Sequence, residues 1–342
     1  MADGFLWMIY NQLGTHMWKV KRPTDPNGRY VADEVADIYE ENWRKRMLKA
    51  RACGANAVYV DIGEMLRYPS HPEIWVKGAW SAEKMNEWVR WLKSIGFTTV
   101  MPSLNFSTAH HLWLGEYSRM VSTPEYYRVC RDVIRDAYEV FEHPRIMDIG
   151  MDEENAAHCS KYFDQGCIVI RQGDLYWHDN LFYIREIESL GAQAATSADM
   201  IRYRQKEFAG HMPKSVLMHN WFYGRYFERE KFTGSKGAQD WAWNSLQGYA
   251  KLEEEGYDQM MNASNWLTPA AAKANEPPND TNIVGSVAWG LKNLTRSRFK
   301  GLLVSPWFGV KPQGDAGFFA ACDQLAQAKA LYEETTAKEK QS

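Results

Sequence analysis

Short apolar runs of five or six residues recur along the chain, and the stretches between them space their apolar residues as helices do. The runs are Phe5–Tyr10, Ala57–Ile62, Phe97–Met101, Arg145–Gly150, Gln193–Ser197, Ser215–Asn220, Gln259–Ala263 and Gly301–Ser305. Pro102 is read as halting the third, and the fourth opens after Pro144 and ends in the acids Asp152, Glu153 and Glu154. Helical patterns cover about 33–52, 81–96, 123–141, 174–190, 238–255, 281–294 and 316–336. Ser81 is the expected N-cap of the second, while Gly54, Gly96, Gly191 and Gly256 follow helix ends. Eight strands alternating with helices from end to end predict an α/β chain folded as a (β/α)8 (TIM) barrel. An open doubly wound sheet is the alternative, but no G-x-G-x-x-G follows the first strand. The connection at about 155–173 has no assigned structure, and residues 337–342 are expected to fray.

The length, 342 residues, suits one large barrel or two medium domains, and no linker or low-complexity stretch divides it, so residues 1–342 are read as a single catalytic domain. A net charge of -3 argues against nucleic-acid binding. No 18-residue apolar run predicts a membrane span, and nothing at Met1 reads as a signal peptide, so the chain as it stands reads as cytoplasmic. Five cysteines (Cys53, Cys130, Cys159, Cys167, Cys322) are an odd set without a CxxC pair, which points to neither a disulfide framework nor a zinc site. Fifteen Trp are many, and flat apolar side chains in such number suit a site that stacks sugar rings. A homo-oligomer stays open, with Trp75, Trp88 and Trp91 as side chains that either a partner or the core would cover.

All eight strand ends of a barrel share one mouth. That places Asp61 and Glu64 after strand two, Asn105 and His110 after strand three, Asp152 and Glu153 after strand four, and Asp199 after strand five. Asn220, Trp221 and Tyr223 follow strand six, Asn265 and Trp266 strand seven, and Trp307 strand eight. Acids facing a wall of three Trp form a carbohydrate site: apolar sugar faces stack on indoles, and hydroxyls bond to carboxylates and amides.

Glycoside hydrolysis commonly needs two carboxyl groups that flank the scissile bond. Strand seven, Gln259–Ala263, and the residues after it to Trp266 offer none. Asp152 and Glu153 are adjacent, and adjacent side chains on an extended backbone diverge. This points to the substrate-assisted exception, in which the substrate's own 2-acetamido oxygen attacks the anomeric carbon. One carboxylate then protonates the leaving oxygen, and its neighbour orients the acetamido group.

At these residues the chain resembles glycoside hydrolase family 20, the β-N-acetylhexosaminidases, as a divergent member. Gly150-Met-Asp-Glu153 is similar to the family's G-G-D-E signature, and Met101–His110 lies where the family has a P-E-I-D-x-P-G-H segment. Trp221 and Trp307, with Trp266, would belong to its aromatic acetamido box. The resemblance implies exo-acting, retaining cleavage of a β-linked N-acetylhexosaminide. Glu153 would be the general acid, its pKa raised by burial and the Asp152 charge, with Asp152 on the acetamido group and His110 orienting the pair. The departures are Met151 at the second signature glycine, Ser103 and Asn105 where the family has Glu and Asp, and no Arg in the segment Tyr10–His16. The barrel pattern also begins near Met1, without the accessory domain the family carries ahead of it.

Two other readings keep the barrel. A glycosidase acting on a sugar without an acetamido group would take Asp61, Glu64 or Asp199 as its second carboxylate. A non-catalytic barrel would bind glycan on its Trp wall. His110, His111, Asp152, Glu153 and His219 are metal-capable, but no HxH or HExxH pairing is present, so no metal or cofactor is expected.

Overall fold

A computed structural model describes residues 4–13, 39–155, 169–267 and 278–341. The strands are β1 (Leu6–Gln12), β2 (Ala57–Asp61), β3 (Thr99–Ser103), β4 (Ile146–Asp148), β5 (Gln193–Ser197), β6 (Leu217–Trp221), β7 (Gln259–Ala263) and β8 (Phe299–Val304). They form a closed parallel barrel in sequence order. Closure comes from β1 pairing with β8, Leu6 opposite Gly301. A Cβ on Gly301 would lie 2.6 Å from the Leu6 carbonyl oxygen, so the two backbones meet this closely only because residue 301 has no side chain.

Among the described residues eight α-helices surround the barrel: α1 (Glu40–Ala52), α2 (Ala82–Ser94), α3 (Pro124–Val140), α4 (Gly173–Ser189), α5 (Gln205–His211), α6 (Lys236–Glu254), α7 (Asn282–Asn293) and α8 (Asp315–Glu339). Ser81 caps α2 by accepting from the Lys84 N–H, and Thr123 caps α3 with Pro124 in the first turn. Among the described residues no helix is long and apolar enough to cross a membrane. The Trp88 indole is wholly buried against Trp43 and belongs to the core, while Trp75 and Trp91 are partly buried under Arg67 and Arg44.

Several expectations shift. β3 runs through Pro102, which pairs with Val60, because a proline costs the ladder only one donor. β4 is three residues long and ends at Asp148, since Gly150 takes a positive φ of 67° that leaves the extended region. The short helix α5 has no counterpart in the sequence reading, and α8 continues to Glu339, whose side-chain carboxylate is held by Arg296. Cys53, Cys130 and Cys322 are free thiols, while Cys159, Cys167 and most of the connection at about 155–173 lie outside the described residues.

The barrel interior is layered along the strands. One layer is apolar, with Met8, Ala57, Met101, Ile146, Ala195, Leu217, Met260 and Leu303 packed together. Two residues further on, each strand turns polar: Tyr10, Tyr59 then Asp61, Ser103, Asp148, Ser197, His219, Asn262 and Ser305. Side chains alternate faces with period two, so this second set points up the barrel axis and floors the mouth.

Candidate active site

The floor is organised by Asp148, which is fully buried. Its Oδ2 accepts from the Tyr59 hydroxyl (2.6 Å), the Ser103 hydroxyl (2.8 Å) and the Gly150 N–H (2.9 Å), while Oδ1 lies 2.8 Å from His219 Nε2. A buried carboxylate with this many partners is satisfied and rigid. Asp148 therefore positions the next turn of chain.

That turn carries the acids in an unusual backbone. Gly150, Met151 and Glu153 all have positive φ, at 67°, 67° and 60°. Left-handed conformations at two non-glycine residues cost roughly 1–2 kcal/mol each. The turn is held at several points. Ser197 N–H and the Thr196 hydroxyl donate to the Gly150 carbonyl, and Asp199 Oδ2 accepts from the Glu153 N–H at 3.1 Å. Glu154 is clamped by Arg171, whose Nε and Nη2 reach its two oxygens at 2.8 and 2.6 Å. Arg171 also binds Asp179 and the Tyr183 hydroxyl, each at 2.9 Å, with Arg171, Glu154 and Asp179 all buried.

This backbone overturns the divergence expected for Asp152 and Glu153. The left-handed residue at Glu153 turns both carboxylates onto one nitrogen, His110 Nε2, at 3.5 Å and 3.4 Å. Burial by itself would lower the His110 pKa, but the Asp152 charge, with hydrogen bonds to both acids, outweighs it and raises the ring to about 9. For Asp152, burial raises and the His110 charge lowers; with the Asn105 amide donating to Oδ1 at 2.8 Å, the carboxyl ends below its ordinary value. At neutral pH the cluster is thus an imidazolium facing two acids.

Above the floor lies a cavity of about 410 Å³. Of the expected residues, Asp61, Asn105, Asp152, Glu153, Trp221, Tyr223, Trp266 and Trp307 line it. The Trp307 ring packs 4.7 Å from Tyr10 and 6.5 Å from Tyr223, which makes an aromatic wall opposite the acids. Asp61 accepts from the Tyr10 hydroxyl at 2.7 Å, and its Oδ1 has no hydrogen-bond partner among the described residues. Burial, opposed by the Tyr10 bond and the His110 charge, pushes Asp61 up to about 7.

The remaining expected residues sit elsewhere. His110 is buried behind the acid pair and reaches the cavity only through it. Asn220 does not line the cavity: His219 and Trp221 face inward, so the residue between them faces the helices, where it accepts from Arg202 and donates to the Ser245 carbonyl. Asn265 turns to α8 and donates to the Gly317 carbonyl. Glu64 is buried in a 3-10 turn, Gly63–Met65, and Asp199 lines a second cavity on the far side of Trp221. His111 points away, to the Tyr126 hydroxyl, and burial holds it well below its usual pKa.

Tyr10, Tyr59, Ser197, Asn262 and Ser305 also line the cavity without having been singled out from the sequence. Their signal was available: each lies two residues after an apolar interior residue on its own strand. Asn262 also holds the inward position on β7, so that strand presents an amide where a carboxylate would stand.

Among the described residues, one set of metal-capable side chains has donor atoms within 4.8 Å of one another: His110, Asp152 and Glu153. A metal needs an unprotonated imidazole nitrogen. With its pKa near 9, His110 holds that proton at neutral pH, so a metal here would have to displace it.

No protein-family model matches the chain, and no curated protein does. Solved structures share the fold. A family 20 exo β-N-acetylglucosaminidase from Vibrio harveyi, in complex with N-acetylglucosamine, superposes with a TM-score of 0.62 at 12% identity. A β-N-acetylhexosaminidase from Bacteroides fragilis gives 0.60 at 14%, and a family 20 module of a pneumococcal exo-β-D-N-acetylglucosaminidase also gives 0.60 at 14%. These alignments cover 95%, 94% and 96% of this chain but 54%, 65% and 85% of the others. The likeness is one of fold, and the structural neighbours are mostly family 20 hexosaminidases.

Proposed function

We propose that this barrel is a retaining glycoside hydrolase that releases a terminal β-linked N-acetylhexosamine by substrate-assisted catalysis. The reading rests on one observation: Asp152 and Glu153 converge on His110 at the edge of a cavity walled by Trp221, Trp266 and Trp307. Two carboxylates anchored to one nitrogen stand on the same side of a bound sugar. They cannot flank an anomeric carbon as nucleophile and acid, which requires opposite faces.

In this reading the sugar's 2-acetamido oxygen attacks the anomeric carbon from within the aromatic wall. Glu153 donates its proton to the glycosidic oxygen as that bond breaks, and the aglycone leaves neutral. Asp152, kept ionised by His110 and Asn105, accepts from the acetamido N–H and stabilises the positive charge of the cyclic intermediate. Water then attacks the anomeric carbon and gives its proton to Glu153. Two inversions leave the β configuration.

The test is hydrolysis of aryl N-acetyl-β-hexosaminides by wild type, Glu153→Gln and Asp152→Asn. Both variants are expected to lose at least about 10³-fold in kcat on a donor with a poor leaving group, whose oxygen must be protonated to depart. Full activity of Glu153→Gln sinks the assignment. Tight inhibition by a thiazoline analogue supports the acetamido route, and insensitivity to a chelator removes a metal-dependent one.

A second reading, cleavage of a sugar lacking the acetamido group, would draw its second carboxylate from Asp61. Of the three candidates only Asp61 lines the main cavity. A pKa near 7 leaves it largely protonated in mildly acid solution, which suits a hydrogen-bond donor to sugar better than a nucleophile. Turnover of aryl glucosides or galactosides, abolished in Asp61→Asn, would favour it.

A further inference from the structure

Asp148, Ser197 and His219 come from three successive strands and meet in the floor of the main cavity. Ser197 is opposite His219 in the β5–β6 ladder, so both side chains leave the same face of the sheet. His219 Nε2 lies 2.8 Å from Asp148 Oδ1. A carboxylate only accepts, so Nε2 carries the ring hydrogen and Nδ1 keeps its lone pair. That lone pair faces the Ser197 hydroxyl at 3.4 Å. Contacts between a nucleophile and its base are often this long without substrate and tighten when it binds. The Tyr59 ring stands edge-on to the imidazole, at 88°, and fixes its plane.

A hydroxyl facing an imidazole that a buried carboxylate orients is the arrangement that turns serine into a nucleophile. Ser197 and His219 are buried, yet both line the cavity, so a guest reaches them from the mouth. Asn262, also in this layer, has its Oδ1 taken by the Ser305 hydroxyl at 2.8 Å. Its Nδ2 is the group left to donate to an oxygen that gains charge in the cavity. The glycoside cleavage proposed above touches neither Ser197 nor His219.

We infer that Ser197 is the nucleophile of an ester hydrolase, with His219 as its base and Asp148 as the positioning residue, acting on a short O-acyl group carried by a neutral sugar. Asp61, Asp152 and Glu153 line the same cavity, and the lining Arg46 is already paired with Asp315, which disfavours a phosphate or carboxylate ester. Trp221, Trp266 and Trp307 offer flat faces to a sugar ring. The apolar layer just below, where Ala195, Leu217 and Met260 pack together, leaves depth for a short acyl chain only. Ser197 Oγ bonds to the ester carbonyl carbon as its proton passes to His219 Nδ1. The ester C–O bond then breaks, and the sugar oxygen leaves with that proton. Water attacks the acyl-serine and gives a proton to Nδ1, which returns it to Oγ as the carboxylic acid departs. The net change is ester plus water to alcohol plus acid. Glu153 takes no part, so this activity succeeds or fails apart from glycoside cleavage.

The experiment follows acetate release from p-nitrophenyl acetate and from a methyl glycoside bearing one O-acetyl group, with wild type, Ser197→Ala and His219→Gln. Wild type should hydrolyse both esters, and each variant should lose at least about 10³-fold in kcat/KM. An alkyl fluorophosphonate, whose fluoride a serine nucleophile displaces, should add one phosphonyl group to Ser197 of wild type, located by peptide mass spectrometry. This labelling needs no variant to fold. Release of acetate from neither ester, a phosphonyl group absent from Ser197, or a loss under about tenfold in folded Ser197→Ala overturns the inference. Turnover of p-nitrophenyl acetate alone overturns the sugar ester as its substrate.

Discussion

Substitution of Gly150 by alanine strikes the turn from which both acids hang. A Cβ at Gly150 would lie 2.3 Å from Asn105 Cγ and Oδ1 and 2.7 Å from Asn105 Cα. Ordinary contact begins near 3.4 Å, so the two segments must part by 3.4 − 2.3 = 1.1 Å. Asn105 cannot easily yield: Leu104 N–H donates to Asp148 O, Phe106 N–H to Ile149 O, and the Trp113 indole to Asn105 O. The Gly150 turn must move instead, carrying Asp152 away from the Asn105 amide and His110. Forcing alanine to a φ of 67° costs about 1–2 kcal/mol, and overpacking adds about 1–3. A shift near 1 Å at a reacting group lowers rate on the order of 10²-fold. Gly191→Ala is the control, since Gly191 also has a positive φ, 87°, but nothing within 4 Å of its would-be Cβ. Urea unfolding should place Gly150→Ala about 2–5 kcal/mol below wild type and Gly191→Ala only about 1–2. The kcat/KM on an aryl N-acetyl-β-hexosaminide should fall about 10²-fold in Gly150→Ala alone. Near wild-type activity in Gly150→Ala, or a stability loss no larger than that of Gly191→Ala, would refute the steric argument, and the stability arm holds whatever the substrate.

Arg171→Met leaves Glu154 and Asp179 buried without their cation, so it should cost about 3–5 kcal/mol in denaturant unfolding, and a loss under about 1 kcal/mol would show the clamp to be dispensable. The His110 pKa, raised from 6.5 to about 9, contributes stability that is fully present below about 6.5 and is lost as pH rises through 9. The stability deficit of His110→Gln should therefore be largest near pH 6 and shrink by pH 9.5; a deficit constant across that range contradicts the charge cluster. Asp61 has the opposite consequence: with its pKa raised from 3.8 to about 7, the folded state holds a proton the unfolded chain releases, and wild type loses stability as pH rises between those values. Asp61→Asn should gain on wild type in melting temperature from pH 4 to pH 7.5, and parallel melting curves would argue against the buried acid.

The likeness of fold to family 20 hexosaminidases covers nearly all of this chain but only about half the length of the Vibrio harveyi enzyme. At 12–14% identity it carries the barrel and leaves the chemistry to the residues themselves. What those residues share with the resemblance read from Gly150-Met-Asp-Glu153 is the pairing of adjacent acids with His110. Where this chain goes its own way is the support around the pair. Asp148 gathers Tyr59, Ser103 and His219 beneath the turn, and Arg171 grips Glu154 behind it.

The apolar runs and helical spacing are local properties, so the strand and helix alternation and the barrel were legible in the sequence, as was part of the mouth: Asp61, Asn105, Asp152, Glu153, Trp221, Tyr223, Trp266 and Trp307. Element ends were less so, because Pro102 within β3 and the early end of β4 depend on which ladder positions their neighbours supply. Asn220 shows how a nearby residue is misplaced by counting loops alone: period two along β6, read from Trp221 and His219, sends it to the helices. The convergence of Asp152 and Glu153 was beyond any local rule. Adjacent side chains diverge in an extended chain, and only a turn held left-handed by Asp148 in its own stretch and by Asn105, Asp199 and Arg171 from three other segments brings both onto one histidine. The sequence determined which acids stand at the end of the fourth strand; tertiary hydrogen bonds, by paying for backbone strain no isolated segment would keep, decided that both converge on His110.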